Sequence, residues 1–146
     1  MQTFLPYPDF KQSAACLDYR RLGKQRVEGA QILKAILGEK SFNGKPYKGW
    51  LNHPATLMWK PYPDALKLYI NTMIEEWVRR GYKNTMLLYK IDNNIQMPNW
   101  LGHENFHASH RSNLKRKDEL YYQKYGWNES SDLSYVWPIK KYQNGY

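Results

Sequence analysis

Cysteine is nearly absent from this chain, and long apolar runs are absent altogether. The one thiol, Cys16, excludes an internal disulfide and fits a reducing compartment. It stands among Ala14, Ala15 and Leu17, where a buried, inert thiol is expected. No apolar run approaches the ~18 residues of a membrane span. Nor does any stretch pair a continuous apolar face with a Lys-rich one, which argues against a membrane-surface helix. The opening MQTFLPYPDFKQ has no basic region followed by an apolar one, so it does not read as a signal peptide. It reads as a first structural segment, punctuated by proline and packed on the body. The expected location is the cytoplasm, either at a nucleoid or as a virus-encoded protein in its host.

Acidic residues are scarce as well: 13 Asp and Glu face 22 Lys and Arg, a net charge of +9 on 146 residues. That excess points to a polyanionic partner, nucleic acid before anionic membrane. The 13 Tyr, 6 Trp and 4 Phe mostly build a core, while rings set among cations suit base stacking.

Strand signals are weak, and no repeat, heptad or low-complexity tract is present. The reading is a mostly α, compact single domain with three main helices and little or no sheet, expected as a monomer. Pro6 and Pro8 keep Thr3–Asp9 extended or turned. The first helix is expected from Phe10 or Lys11 to Leu37, with Ser13 as a cap and Gly38 as the stop. Ser41–Trp50 is a loop holding Gly44, Pro46 and Gly49. Pro54–Trp59 forms a short helix and Pro63–Arg80 a long one, each opened by its proline. Leu66, Ile70, Met73 and Trp77 form the apolar stripe of the long helix, and Gly81 closes it. Asn84–Pro98 is irregular, with a short extended piece at Met86–Ile91. A third long helix spans His103–Tyr125, and the tail from Gly126 packs across the body.

Chemistry concentrates in Leu17–Glu28, LDYRRLGKQRVE. Arg21, Lys24, Gln25 and Glu28 sit at i, i+3, i+4 and i+7, on one helical face. Arg26 breaks into the otherwise uncharged row Leu22, Gly29, Leu33. Cations gathered beside one acid suit a phosphate backbone and a proton-handling carboxylate. Further along, His103-Glu104-Asn105-Phe106-His107 matches H-E-x-x-H, in which two histidines hold zinc and the glutamate is the base. His110 adds a third histidine at i+7. Three histidines on one straight helix converge poorly on a tetrahedral ion, so a base- or phosphate-contacting role competes, as does simple pairing with Tyr or carboxylates. Arg111, Lys115, Arg116 and Lys117 continue that helix as a phosphate track or as a solvated face. Asn52 and His53 precede a proline-opened helix, as anion contacts or as a cap. Gln2 is bulky enough to keep Met1 in place, so Met1 would carry the α-amine. Such amines titrate near ~7.7–8.0 and can form a Schiff base with a sugar.

These blocks together resemble the pyrimidine-dimer DNA glycosylase/lyase family of the phage endonuclease V type. Asp18, Tyr19, Arg20, Leu22, Arg26 and Val27 match its first-helix segment. Glu75–Tyr82, EEWVRRGY, resembles the end of its second helix, Trp100–Glu104 its third-helix entry, and Tyr121–Trp127 its Tyr-rich finish. The MQTFLPYPDF start and the Tyr135-Val136-Trp137-Pro138 end look closer to a divergent microbial and viral branch. The resemblance implies a compact three-helix fold that flips a nucleotide and attacks C1′ with the N-terminal amine. A first-helix glutamate assists, and arginines hold the kinked backbone. Carried over by position, Met1 supplies the amine, and Arg20 and Arg26 hold phosphates. The family's glutamate position falls on Arg21, with Lys24-Gln25 as an insertion. Glu28 is then the relocated carboxylate. The family's mature enzymes begin at a small residue exposed by Met removal, unlike this chain.

The expected function is a DNA glycosylase, with or without a coupled AP-lyase step, removing a damaged or modified base from double-stranded DNA. Met1 and Glu28 would be catalytic. Gln2, Arg20, Arg21, Lys24, Arg26, Asn52, His53, His103, His107, His110, Arg111, Lys115 and Arg116 would contact DNA, and Trp50 or Trp100 would stack on the base. Neither cofactor nor metal is called for. The competing readings are a non-catalytic nucleic-acid-binding protein and a zinc hydrolase built on His103, Glu104 and His107.

Overall fold

A computed structural model describes residues 1–38 and 51–139. The chain forms α1 (Phe10–Cys16), α2 (Tyr19–Ile36), α3 (Pro54–Trp59), α4 (Pro63–Arg79), α5 (Glu104–Lys117) and α6 (Glu119–Tyr122), then a 3₁₀ turn at Gln123–Tyr125. No strand occurs among the described residues, and the architecture is mostly α with α2, α4 and α5 as its long members. The proline-opened helices stand as expected. Pro63 occupies the first turn of α4, and Gly81 takes the left-handed φ of +91° just past its end.

Two helices expected to be continuous are broken. Leu17 and Asp18 are extended, with ψ of 140° and 157°, so the first helix becomes α1 and α2. The hydroxyl of Tyr122 holds the break open. It accepts from the Asp18 N–H at 3.0 Å and donates to Asp18 Oδ1 at 2.5 Å. Asp9 caps α1 through the Lys11 N–H, and Ser13, expected as the cap, is buried instead and bonds Tyr7. The third long helix breaks at Asp118, whose carboxylate accepts from the Tyr121 N–H and starts α6. Met86–Ile91 has no regular structure, although Asn71 of α4 bonds both the N–H and the carbonyl of Tyr89. The expected Ser41–Trp50 loop, Trp50 included, lies outside the described residues.

The core is built where α2 crosses α4. Leu22, Gly29 and Leu33 of α2 face Leu66, Ile70 and Met73 of α4, all buried. The helices approach closely because α2 presents glycine there. A Cβ on Gly29 would stand 2.8 Å from Ile70 Cγ1, and one on Gly23 would stand 3.0 Å from the Trp77 ring. An aromatic cluster continues this core, with Trp59 edge-on to Trp100 at 5.0 Å and Phe10 edge-on to Tyr69 at 5.6 Å between ring centroids. Gly29→Ala is therefore expected to cost about 1–3 kcal/mol through overpacking against the β-branched side chain of Ile70. Urea unfolding of the variant checks this; an unchanged midpoint would contradict the close approach.

Candidate active site

The residues from Gln2 to Pro6 run buried through the interior without regular structure, with no strand beside them among the described residues, and the chain bends from Pro6. Buried backbone groups need partners, and side chains supply them. The Gln2 N–H donates to Glu28 Oε2 at 3.3 Å and the Phe4 N–H to Gln25 Oε1 at 2.8 Å. Tyr69 sets its hydroxyl 2.9 Å from the Phe4 carbonyl and 2.7 Å from Gln25 Oε1. Helix α5 brackets Leu5: the Leu5 N–H donates to His110 Nδ1 at 2.8 Å, and His107 Nδ1 donates to the Leu5 carbonyl at 2.7 Å. Arg111 Nη1 donates to the Pro6 carbonyl at 2.8 Å. Trp59 Nε1 donates to Thr3 Oγ1 at 2.9 Å. Glu28 and Gln25 of α2 thus share the task of holding this segment with three residues of α5.

The segment ends in a cleft of about 730 Å³ lined by Met1, Gln2, Phe4, Arg20, Arg21, Lys24, Gln25, Glu28, Lys117 and Tyr135. All four members of the α2 face read at i, i+3, i+4 and i+7 are among them. Met1 and Glu28 are half-buried, and Lys24 is exposed. Arg21 is aimed by Asp18, whose carboxylate it meets at 3.2 Å. Tyr122 fixes that carboxylate in turn. Lys117, at the end of α5, adds a cation facing those of α2. Tyr135 keeps its proton: burial first, and then the Glu28 carboxylate, push the hydroxyl up to about 12 against the pull of Arg116 and Arg21.

The cleft gathers some of the expected residues and leaves others out. Met1, Gln2, Arg20, Arg21, Lys24 and Glu28 are together. His53 is close by: its pKa is lowered by burial and then by the positive charge of the α-amine. Its Nδ1 accepts from the Ala55 N–H at 3.0 Å and caps α3. Asn52 is exposed beside it. Arg26 turns towards α4 instead, donating to Asn84 Oδ1 at 2.6 Å with its guanidinium 4.4 Å from the Trp77 ring centre.

The expected phosphate track on α5 is interior at its inward end only, while Arg116 and Lys117 at its outer end are exposed. His107, His110 and Arg111 are buried. Beyond its bond to Pro6, Arg111 pairs with Glu129 at 2.6 Å and with Glu104. Lys115 donates to the carbonyls of Trp127 and Glu129, and Arg116 to Ser131 and Asn113, so both tie down the tail. Trp100, expected to stack on a base, is 1% exposed and donates through Nε1 to the Met58 carbonyl at 3.0 Å. The H-E-x-x-H zinc reading is overturned by the bonds of His107. Nδ1 serves Leu5, and Nε2 accepts from the Gly102 N–H at 2.9 Å, so both ring nitrogens already hold main chain. His103 is exposed at the start of α5. Among the described residues no cluster of His, Cys, Asp and Glu suits a metal ion.

A family model described as pyrimidine dimer DNA glycosylase matches residues 1–90, more than half of the chain. The chain belongs to the pyrimidine dimer DNA glycosylase family. No curated protein and no solved structure matches it. Membership makes the protein an enzyme of DNA, and it bears on α1–α4 directly. Lys117 and Tyr135 of the glycosylase lie beyond the matched residues, yet both line the cleft. Sequence reasoning placed Lys117 at the outer end of a track and gave Tyr135 no site role. Gln25 was read on the α2 face without a role of its own, and no sequence signal marked Phe4 as a cleft residue.

The histidines give the glycosylase a pH-dependent element. Burial, helped by the charges of His107 and Arg111, presses His110 from 6.5 to about 3. Between those values the unfolded chain binds a proton that the folded one refuses, so stability must fall as pH falls through that window. His110→Gln keeps an acceptor for the Leu5 N–H and removes the titration. Urea midpoints at pH 7 and pH 4 should diverge more for the wild type than for the variant; equal losses would contradict a buried neutral imidazole.

Proposed function

We propose that this family member excises a damaged pyrimidine from double-stranded DNA through the α-amine of Met1, with Glu28 as its carboxylate partner and an AP-lyase step following. The observation that carries the reading is the terminus itself. Met1 lies in a basic cleft, and Glu28 accepts a bond from the very next N–H.

The chemistry follows from these groups. The neutral amine attacks C1′ of an extruded nucleotide. The glycosidic C1′–N bond breaks, and its electron pair leaves with the base. The amine, now cationic, gives a proton to Glu28. Opening of the C1′–O4′ bond, with a proton returned to O4′, leaves a Schiff base between Met1 and the sugar. Loss of a C2′ proton then expels the 3′ phosphate, which is the lyase step. Arg20, Arg21, Lys24 and Lys117 line the same cleft as Met1 and serve as phosphate contacts, which position the strand without reading its sequence. Extrusion is required because C1′ within a stacked duplex is shielded from a terminus that is itself held in place.

Borohydride trapping on DNA with an abasic site tests the reading. A covalent adduct should form with the wild type and vanish when the α-amine is acetylated. Glu28→Gln retains an acceptor for the Gln2 N–H, yet excision of the base should fall by about 10²–10⁴-fold. Steeply salt-dependent binding without any adduct, and with Glu28→Gln indistinguishable from wild type, would instead identify a DNA-binding protein without catalysis.

A further inference from the structure

Gln2, Gln25 and Tyr135 line the cleft without a part in the scheme above, and Gln2 is the one with a buried polar atom that lacks a partner. Gln2 is 5% exposed and borders the cleft next to Met1. Its carboxamide has a defined orientation, because Oε1 must be the atom that accepts from the Thr3 N–H at 2.9 Å. That leaves Nε2, with two donor hydrogens, buried and without a partner. A buried donor lacking an acceptor costs about 1–3 kcal/mol, and such exceptions in folded proteins call for an explanation. Among the buried orphans, Gln2 Nε2 stands out for its place beside the terminus and Glu28. The rings of Phe4 and Tyr135, with centroids 6.3 Å apart, line the same cleft.

We propose that Gln2 Nε2 is a leaving-group recognition donor that hydrogen-bonds the O2 carbonyl of the excised pyrimidine. The inference rests on the glycosylase reading and deepens it. When the C1′–N1 bond breaks, its electron pair resides on N1 and spreads onto the C2 carbonyl. In a pyrimidine whose C5–C6 bond is saturated, O2 is the only ring oxygen in conjugation with N1. A donor fixed at O2 is therefore worth more in the transition state than in the ground state, the condition for accelerating the bond-breaking step.

The prediction separates base departure from amine chemistry. Gln2→Met removes the donor, and with it the acceptor of the Thr3 N–H, but keeps the length of the side chain and a bulky second residue, so Met1 is retained. Single-turnover excision at saturating protein should slow by on the order of 10²-fold. Trapping on preformed abasic DNA, which has no base to expel, should fall far less than excision. Gln2→Glu, which retains an acceptor for the Thr3 N–H but no donor, should behave the same way. Excision at wild-type rate in both variants would overturn the proposal. So would a parallel loss of excision and trapping, which would make Gln2 merely structural. A wild type that excises without trapping would remove Met1 as nucleophile, and Gln2 would still be judged by the excision rates.

Discussion

The rest of the structure depends on one arrangement: a terminal segment buried with no strand beside it among the described residues. Its N–H and carbonyl groups cannot be satisfied by a ladder, so side chains from α1, α2, α4 and α5 satisfy them individually. Each such bond contributes only modestly to net stability, about 0.5–1.5 kcal/mol, but each partner removed leaves a buried orphan that costs more. The requirement explains the polar interior of α5. His107, His110 and Arg111 lie on a helix whose apolar residues are few, and they face inward because Leu5 and Pro6 need them. It also explains why Trp59 and Tyr69 direct their polar atoms towards Thr3 and Phe4.

The same arrangement sets the geometry of the site. A terminus is ordinarily the least ordered part of a chain. Here the bonds along Gln2–Tyr7 deliver Met1 to one cleft, where Glu28 both holds the segment and borders the amine. The break between α1 and α2 adds a second aim. Tyr122 from the far end of the chain bonds Asp18, and Asp18 pairs with Arg21, so the C-terminal half orients a cation on α2. The part of the chain beyond the family match thus completes the cleft through Tyr122, Lys117 and Tyr135.

Much of this was legible in the sequence, for local reasons. Proline at the first turn marked α3 and α4, and glycine past the end closed α4. Helical spacing put Arg21, Lys24, Gln25 and Glu28 on one face, and that face lines the cleft. The breaks at Leu17-Asp18 and Asp118 were not legible, because Asp18 is held by a hydroxyl 104 residues away. The polar residues of α5 were read as facing DNA because helical spacing says which residues share a face, not which way it points. Recognising that face as interior requires knowing that an unladdered segment lies against it. Ser109, Ser112 and Asn113, small polar residues buried beside the histidines, were the available hint. Trp100 was assigned to the base for its type alone, whereas an aromatic core of this size claims such a ring first.

The central claim is that the clamped segment presents the α-amine of Met1, rather than any nearby lysine, to the sugar. The cleft also holds Lys24 and Lys117, so a trapped adduct by itself does not identify its nitrogen. Mass spectrometry of tryptic fragments from borohydride-trapped protein on abasic DNA does. The deoxyribose remnant should reside on the Met1–Lys11 peptide, at the amine. A remnant on the peptides containing Lys24 or Lys117 would contradict the account.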